Sequence, residues 1–305
     1  MSNKKVVSKK YVSNRFTTVG LSLIVYSLFA LYVPFGLKQM LSIKEAVVIK
    51  NGINIDFLTS LVCLIVGTIL PFCFLRKYNG VKLKDFFSGS EIKVSSLLVD
   101  YAVFFTISTA AIYLNTMLAE LISASGDMVS GIGINFNTAF MNDYLYLFAF
   151  IIVSPLLEEY AFRGVLLNCL SRYGKHFAII ALSIVYALAH GSIAEILPSF
   201  VMSYFLSKIA LRYKSIKPTI ILHILFNATI CALSMIPEKY SFMNIVILAA
   251  FVIMAVVLVI TRAYKHITIR KSKFNNEVLS LFFLNYVIIA SLMLFVLYIV
   301  ISTIF

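Results

Sequence analysis

Charge is scarce in this chain. Only 13% of its residues are Asp, Glu, Lys or Arg, about half the share found in soluble domains. Cysteine is scarcer still: Cys63, Cys73, Cys169 and Cys231 all fall inside apolar runs and none stands in a CxxC spacing. That excludes a disulfide framework and a zinc knuckle, and leaves them as small hydrophobes in helix packing. The sequence also lacks an internal repeat, a low-complexity tract and a hydrophilic stretch long enough for a soluble domain. Its apolar runs show no period-two alternation, which excludes a transmembrane barrel.

What is present is apolar: 61% hydrophobic residues and a mean hydropathy of +0.97. Runs of roughly 20 such residues cover the ~30 Å of bilayer hydrocarbon as helix. They recur at 16–37, 56–75, 94–122, 143–171, 176–193, 195–211, 217–235, 242–262 and 278–304. The expected fold is all-α, a polytopic transmembrane helix bundle of eight to nine spans. The expected divisions are helices 1–3 with a basic arm over 1–142, a central core over 143–235 and C-terminal helices over 236–305.

Basic residues outnumber acidic ones 26 to 13, and they alternate between loops. Lys4, Lys5, Lys9, Lys10 and Arg15 lie in the N-terminal arm; Arg76, Lys77, Lys82, Lys84 and Lys93 lie in the second loop. Further basic groups are Arg172 and Lys175, then Arg212, Lys214 and Lys217, and finally Arg262, Lys265, Arg270, Lys271 and Lys273. The intervening loops are poor in Lys and Arg, except for Lys38, Lys44 and Lys50 in the first. The retained-positive-charge rule then predicts a cytoplasmic N-terminus and, for an odd span count, Phe305 outside. Charge confined to short loops on one side fits anionic membrane lipid as a partner rather than nucleic acid. The first run is too long for a cleaved leader and reads as an uncleaved helix. The loop 123–142, with three glycines and no basic residue, is expected to cap the outer side.

Ionisable groups in mid-span cost about 2.5–3.5 kcal/mol each on insertion scales, so they mark function by default. Asp56, Asp143, Glu238, Glu277, His176 and His266 sit at span ends or in loops. Asp100, Asn115, Glu120 and Glu195 lie near helix ends, where snorkelling or a local hydrogen bond suffices. What remains is Glu158, Glu159 and Arg163 on the fourth span, His190 on the fifth, and His223 and Asn227 on the seventh. Glu159 and Arg163 are four apart and share a helix face, in the favourable order for an ion pair. Glu158 points elsewhere and is left as a desolvated carboxylate suited to a general base. A single buried ionic cluster that merely holds helices together has the same spacing. His223 and Asn227 also share a face, and the pair can hold an oxyanion. A lone histidine such as His190 is usually a hydrogen-bonded packing residue, but counting ~1.5 Å per residue puts these groups at depths where they can converge in a cavity open toward the cytoplasmic half.

The run Glu158-Glu159-Tyr160-Ala161-Phe162-Arg163-Gly164 resembles the EExxxR signature of the CPBP family, also called CAAX-protease or Abi family, of intramembrane endopeptidases. His190 matches its FxxxH motif, and His223 with Asn227 its HxxxN motif, in the same order on successive apolar spans. Tyr186 stands where the second motif usually has Phe; it keeps the aromatic surface and adds a hydroxyl. The resemblance covers about residues 143–235. It implies hydrolysis of a peptide or membrane-protein substrate in the membrane, with Glu158 and His190 activating water, His223 and Asn227 stabilising the oxyanion, and Glu159 and Arg163 orienting and balancing the site.

Members of the family are often labelled metalloproteases, and Glu158, His190 and His223 could supply a His₂Glu zinc set. The absence of an HExxH pair and the presence of Asn227 favour a metal-free, glutamate-dependent mechanism. Two other classes compete: a non-catalytic bacteriocin self-immunity or sensor-binding protein, which the resemblance permits, and a proton-relaying transporter, which would carry repeat symmetry and broken helices. Abundant Ile, Lys, Asn and Phe, with Lys over Arg, fits an AT-rich bacterial genome, hence a bacterial plasma membrane and substrates such as peptide pheromones or bacteriocin leaders.

Overall fold

A computed structural model describes residues 8–42, 55–89, 91–123, 144–236, 242–261 and 276–304. All regular structure among them is helical. Ten helices are formed: α1 (Lys9–Met40), α2 (Ile55–Tyr78), α3 (Val94–Ser123), α4 (Tyr144–Ser171), α5 (Lys175–Ala189), α6 (Ile193–Tyr213), α7 (Lys217–Ser234), α8 (Phe242–Ile260), α9 (Asn276–Phe283) and α10 (Tyr286–Ile304). The cap expected over 123–142 and the last basic loop, 262–275, fall outside the described residues apart from Ser123, as do Lys4, Lys5, Lys44 and Lys50.

The chain is a polytopic helical membrane protein, and seven of these helices (α1–α4, α6, α7 and α10) are long and apolar enough to cross a bilayer. Two of the expected spans differ. The fifth is only 15 residues of helix, Lys175–Ala189, about 22 Å at 1.5 Å per residue and short of the ~30 Å core. The ninth, expected as one run over 278–304, is broken in two at Leu284 and Asn285. The buried Asn285 side chain causes the break: its Oδ1 accepts the Val287 and Ile288 N–H groups, capping α10. Its Nδ2 meanwhile donates to Ser13 and Thr17 of α1.

Hydrogen bonds identify the two ends of the bundle. At one end Arg15 donates to the Tyr78 carbonyl and Arg172 to that of Asn79. The Ile216 N–H bonds to the Phe86 carbonyl, and Asp100 on α3 accepts from both Arg212 and Tyr213 of α6 at 2.7 Å. The basic turns 76–84, 172–175 and 212–217 therefore share one end of the bundle. At the other end Asn115 donates to the Ala194 carbonyl and Ser302 to that of Gly191. Helices α1 and α10 run parallel: Asn285 lies beside Ser13 and Thr17, and further along Tyr32 donates to the Leu294 carbonyl. Glycine lets them touch, since a Cβ on Gly20 would stand 2.8 Å from the Val287 backbone. Buried Phe16, Leu23, Phe72, Phe162, Phe177, Phe282 and Phe295 join α1, α2, α4, α5, α9 and α10 into one core. A second core joins α3, α6 and α7 around Phe104, Phe105, Leu206 and Phe226.

Three segments widen to i→i+5 bonding. In α1 the Val33 N–H reaches the Leu28 carbonyl; in α4 Ser154 reaches Ala149 and Leu167 reaches Phe162. The two wide stretches of α4, Ala149–Val153 and Glu159–Leu166, flank the regular turn Ser154–Glu158. Such bulges cluster at functional sites because they re-aim side chains that a regular helix would stack.

Candidate functional site

Between α3, α4, α6 and α7 lies a cavity of about 280 Å³. Glu158, His190, His223 and Asn227 all line it, so the four residues proposed from sequence as reacting groups meet in one space. Glu159 and Arg163 lie behind it, buried. The Arg163 Nη1 donates to Glu159 Oε1 at 2.9 Å, the pairing expected from their spacing. Glu159 and Arg163 form a buried pair without Glu158, which keeps 17% of its side chain exposed.

The same Glu159 Oε1 stands 3.0 Å from His223 Nδ1. A carboxylate only accepts, so Nδ1 carries a proton and Nε2 is turned outward, 3.9 Å from Glu158 Oε2. His190 is oriented by the same logic: its Nδ1 lies 2.8 Å from the Tyr186 carbonyl, which also only accepts. Both imidazoles thus present Nε2 as their free nitrogen. Glu158 is held at both oxygens, with Ser154 Oγ donating to Oε1 and Tyr186 Oη to Oε2, each at 2.5 Å. Asn227 Nδ2 donates to the Phe150 carbonyl at 2.9 Å, in the first wide stretch of α4, which leaves one amide hydrogen.

Two features differ from the sequence reading. The cavity is lined by Phe150 and Ser154 of α4, Glu195 and Ser199 of α6, and Phe226 and Ile230 of α7, which belong to the halves of those helices away from the basic turns. The expected opening toward the cytoplasmic half therefore does not match the lining. Glu195, read as an edge group, is a wall residue. α6 starts only three residues after His190, so its first turn, with Glu195, borders the same space as His190. Of the two readings given to Asp100, snorkelling or a local interhelical hydrogen bond, the second is the one seen: it is fully buried between Arg212 and Tyr213 and ties α3 to α6. Ser154 had no distinguishing signal in sequence, because a serine in an apolar helix usually bonds its own backbone.

A zinc ion held by Glu158, His190 and His223 can be tested on this geometry. Two ligands of one tetrahedral zinc lie about 3.4 Å apart for bonds of about 2.0–2.1 Å, against 3.9 Å between Glu158 Oε2 and His223 Nε2. Among the described residues no three His, Cys, Asp or Glu side chains stand together as a metal-holding group. As arranged, Glu158 Oε2 and His223 Nε2 stand about 0.5 Å wider than two ligands of one zinc.

No curated protein and no solved structure matches the chain. One family model does, over residues 140–229, described as type II CAAX prenyl endopeptidase Rce1-like. The matched segment runs from the start of α4 into α7 and contains all six site residues predicted from sequence. Over residues 140–229, then, the chain is similar to the CAAX-protease (CPBP) family.

Proposed function

We propose that the chain is an intramembrane endopeptidase that uses Glu158 as general base. The observation that carries this reading is the meeting of Glu158, His190 and His223 in one cavity among membrane-crossing helices, with Glu159 and Arg163 buried behind them. Water held between Glu158 and the Nε2 of His190 attacks the substrate carbonyl. Glu158 accepts the proton and returns it to the leaving amine, work worth typically 10²–10⁴-fold. The oxyanion is met by the remaining Asn227 amide hydrogen and by His223 from Nε2. To donate there, His223 carries a proton on both nitrogens. The charges then balance: two carboxylates, Glu158 and Glu159, face Arg163 and the imidazolium. Glu159 positions His223, and Arg163 holds Glu159. No metal takes part in this scheme.

The wall is mostly apolar, with Ile112, Phe150, Met202, Phe226 and Ile230, so the substrate is an apolar peptide or membrane-protein segment rather than a soluble chain. The family description names prenyl endopeptidases; for this composition, bacterial peptide precursors in the plasma membrane are the proposed substrates, with membrane lipid as the surrounding partner. The basic turns gathered at one end of the bundle support a cytoplasmic N-terminus. Mass spectrometry of membrane peptides from cells carrying wild type or Glu158→Ala tests the reading. A cleaved bond found only with wild type, and still cut by purified protein after chelation, supports it. Identical peptide sets, with the biological effect retained in Glu158→Ala, would instead support the non-catalytic immunity or sensor-binding role.

A further inference from the structure

Tyr186 touches Glu158, His190 and Arg163. Its hydroxyl donates to Glu158 Oε2 at 2.5 Å, and its carbonyl accepts from His190 Nδ1 at 2.8 Å. Its ring lies 4.5 Å from the His190 ring and 4.3 Å from the Arg163 guanidinium carbon, centroid to group. Phe162 packs against it edge-on at 4.9 Å, and the whole residue is 0% exposed. A buried phenol must find an acceptor, and the one it has is the carboxylate proposed to take the proton from water.

We infer that Tyr186 is a positioning residue for the reaction, fixing the Glu158 carboxylate through its hydroxyl while its backbone fixes the tautomer of His190. A carboxylate on a helix can rotate about its side-chain torsions. With Ser154 on Oε1 and Tyr186 on Oε2 it has one orientation, and each oxygen keeps a lone pair for water. The ring adds a second service. It stands over Arg163, whose Nη1 pairs with Glu159, so the guanidinium meets an aromatic face and Glu159 rather than Glu158. Replacing the tyrosine by phenylalanine would keep that ring and the carbonyl and remove only the hydroxyl.

This inference rests on the proposed peptidase reading. It is tested with purified full-length protein in liposomes and a synthetic form of the peptide whose cleavage is lost in Glu158→Ala cells. For Tyr186→Phe, kcat is expected to fall about ten- to a hundredfold, the worth of one hydrogen bond to a charged group, with KM and the thermal unfolding midpoint unchanged. Ser154→Ala should act in the same sense, and the double variant should be slower than either. A Tyr186→Phe enzyme with wild-type kcat, a loss confined to KM, or a loss that tracks a lowered midpoint would each overturn the assignment and leave Glu158 as base untouched. Glu158→Ala cleaving as fast as wild type would instead remove the peptidase reading, and this inference with it.

Discussion

At the residue scale, the site is a set of charges that tolerate burial only together. Arg163 has 0% of its side chain exposed and is paired with Glu159, which is equally buried. Breaking such a pair from one side leaves an uncompensated charge, at a cost of about 3–5 kcal/mol. Arg163→Met should therefore lower the thermal midpoint in detergent sharply and slow cleavage, because Glu159 also holds His223 at Nδ1. Arg163→Met combined with Glu159→Gln should recover much of the stability without recovering the rate. A single variant as stable as wild type would show that the pair is not needed. The charged members of the set were legible in sequence because an ionisable group in an apolar run stands out, and a four-residue spacing fixes which of them share a face. Ser154 was not, and for Tyr186 only its place in the second motif and its added hydroxyl were, since a hydroxyl in a membrane helix carries no such signal and its partner depends on how α4 meets α5.

At the element scale, apolar runs show where helices occur but not where they stop. The window 278–304 averages over the break that Asn285 makes, because one polar residue hardly moves a mean hydropathy. The wide turns of α4 are equally invisible in sequence, although they place Phe150 and Glu158 against α7 and α5. The turn between α5 and α6 has the largest consequence, since it sets Glu195 into the cavity wall beside His190. That turn depends on Gly191, whose φ of +70° is a left-handed conformation, with the Tyr298 ring 2.6 Å from where a Cβ would stand. Gly191→Ala should cost about 1–2 kcal/mol from the backbone alone and displace His190. The expected outcome is a lowered midpoint together with a fall in kcat, read by thermal unfolding and by cleavage rate. Unchanged values for both would show that the turn does not set the position of His190.

At the scale of the whole molecule, the helices divide into a frame and a site. Parallel α1 and α10, with α2 and α9, pack aromatic rings behind α4 and α5 and hold them from one side. Helices α3, α6 and α7 close the cavity from the other. The membrane class and helical fold were plain from composition, because burying so little charge in so much apolar surface has few other solutions. The side of the bundle on which the cavity lies was not, because depth counted along single helices ignores how they are staggered. The family match covers α4 to α7 up to Thr229, the segment in which the ionisable residues were found.

The central claim is that Glu158 drives peptide hydrolysis inside this bundle. Its most direct test is the single-turnover cleavage rate of the identified peptide by the purified chain in liposomes, for wild type and Glu158→Gln, which keeps the shape and removes the base. The account predicts cleavage by wild type and a rate lower by about 10²–10⁴-fold for the variant. Equal rates for the two proteins would contradict it.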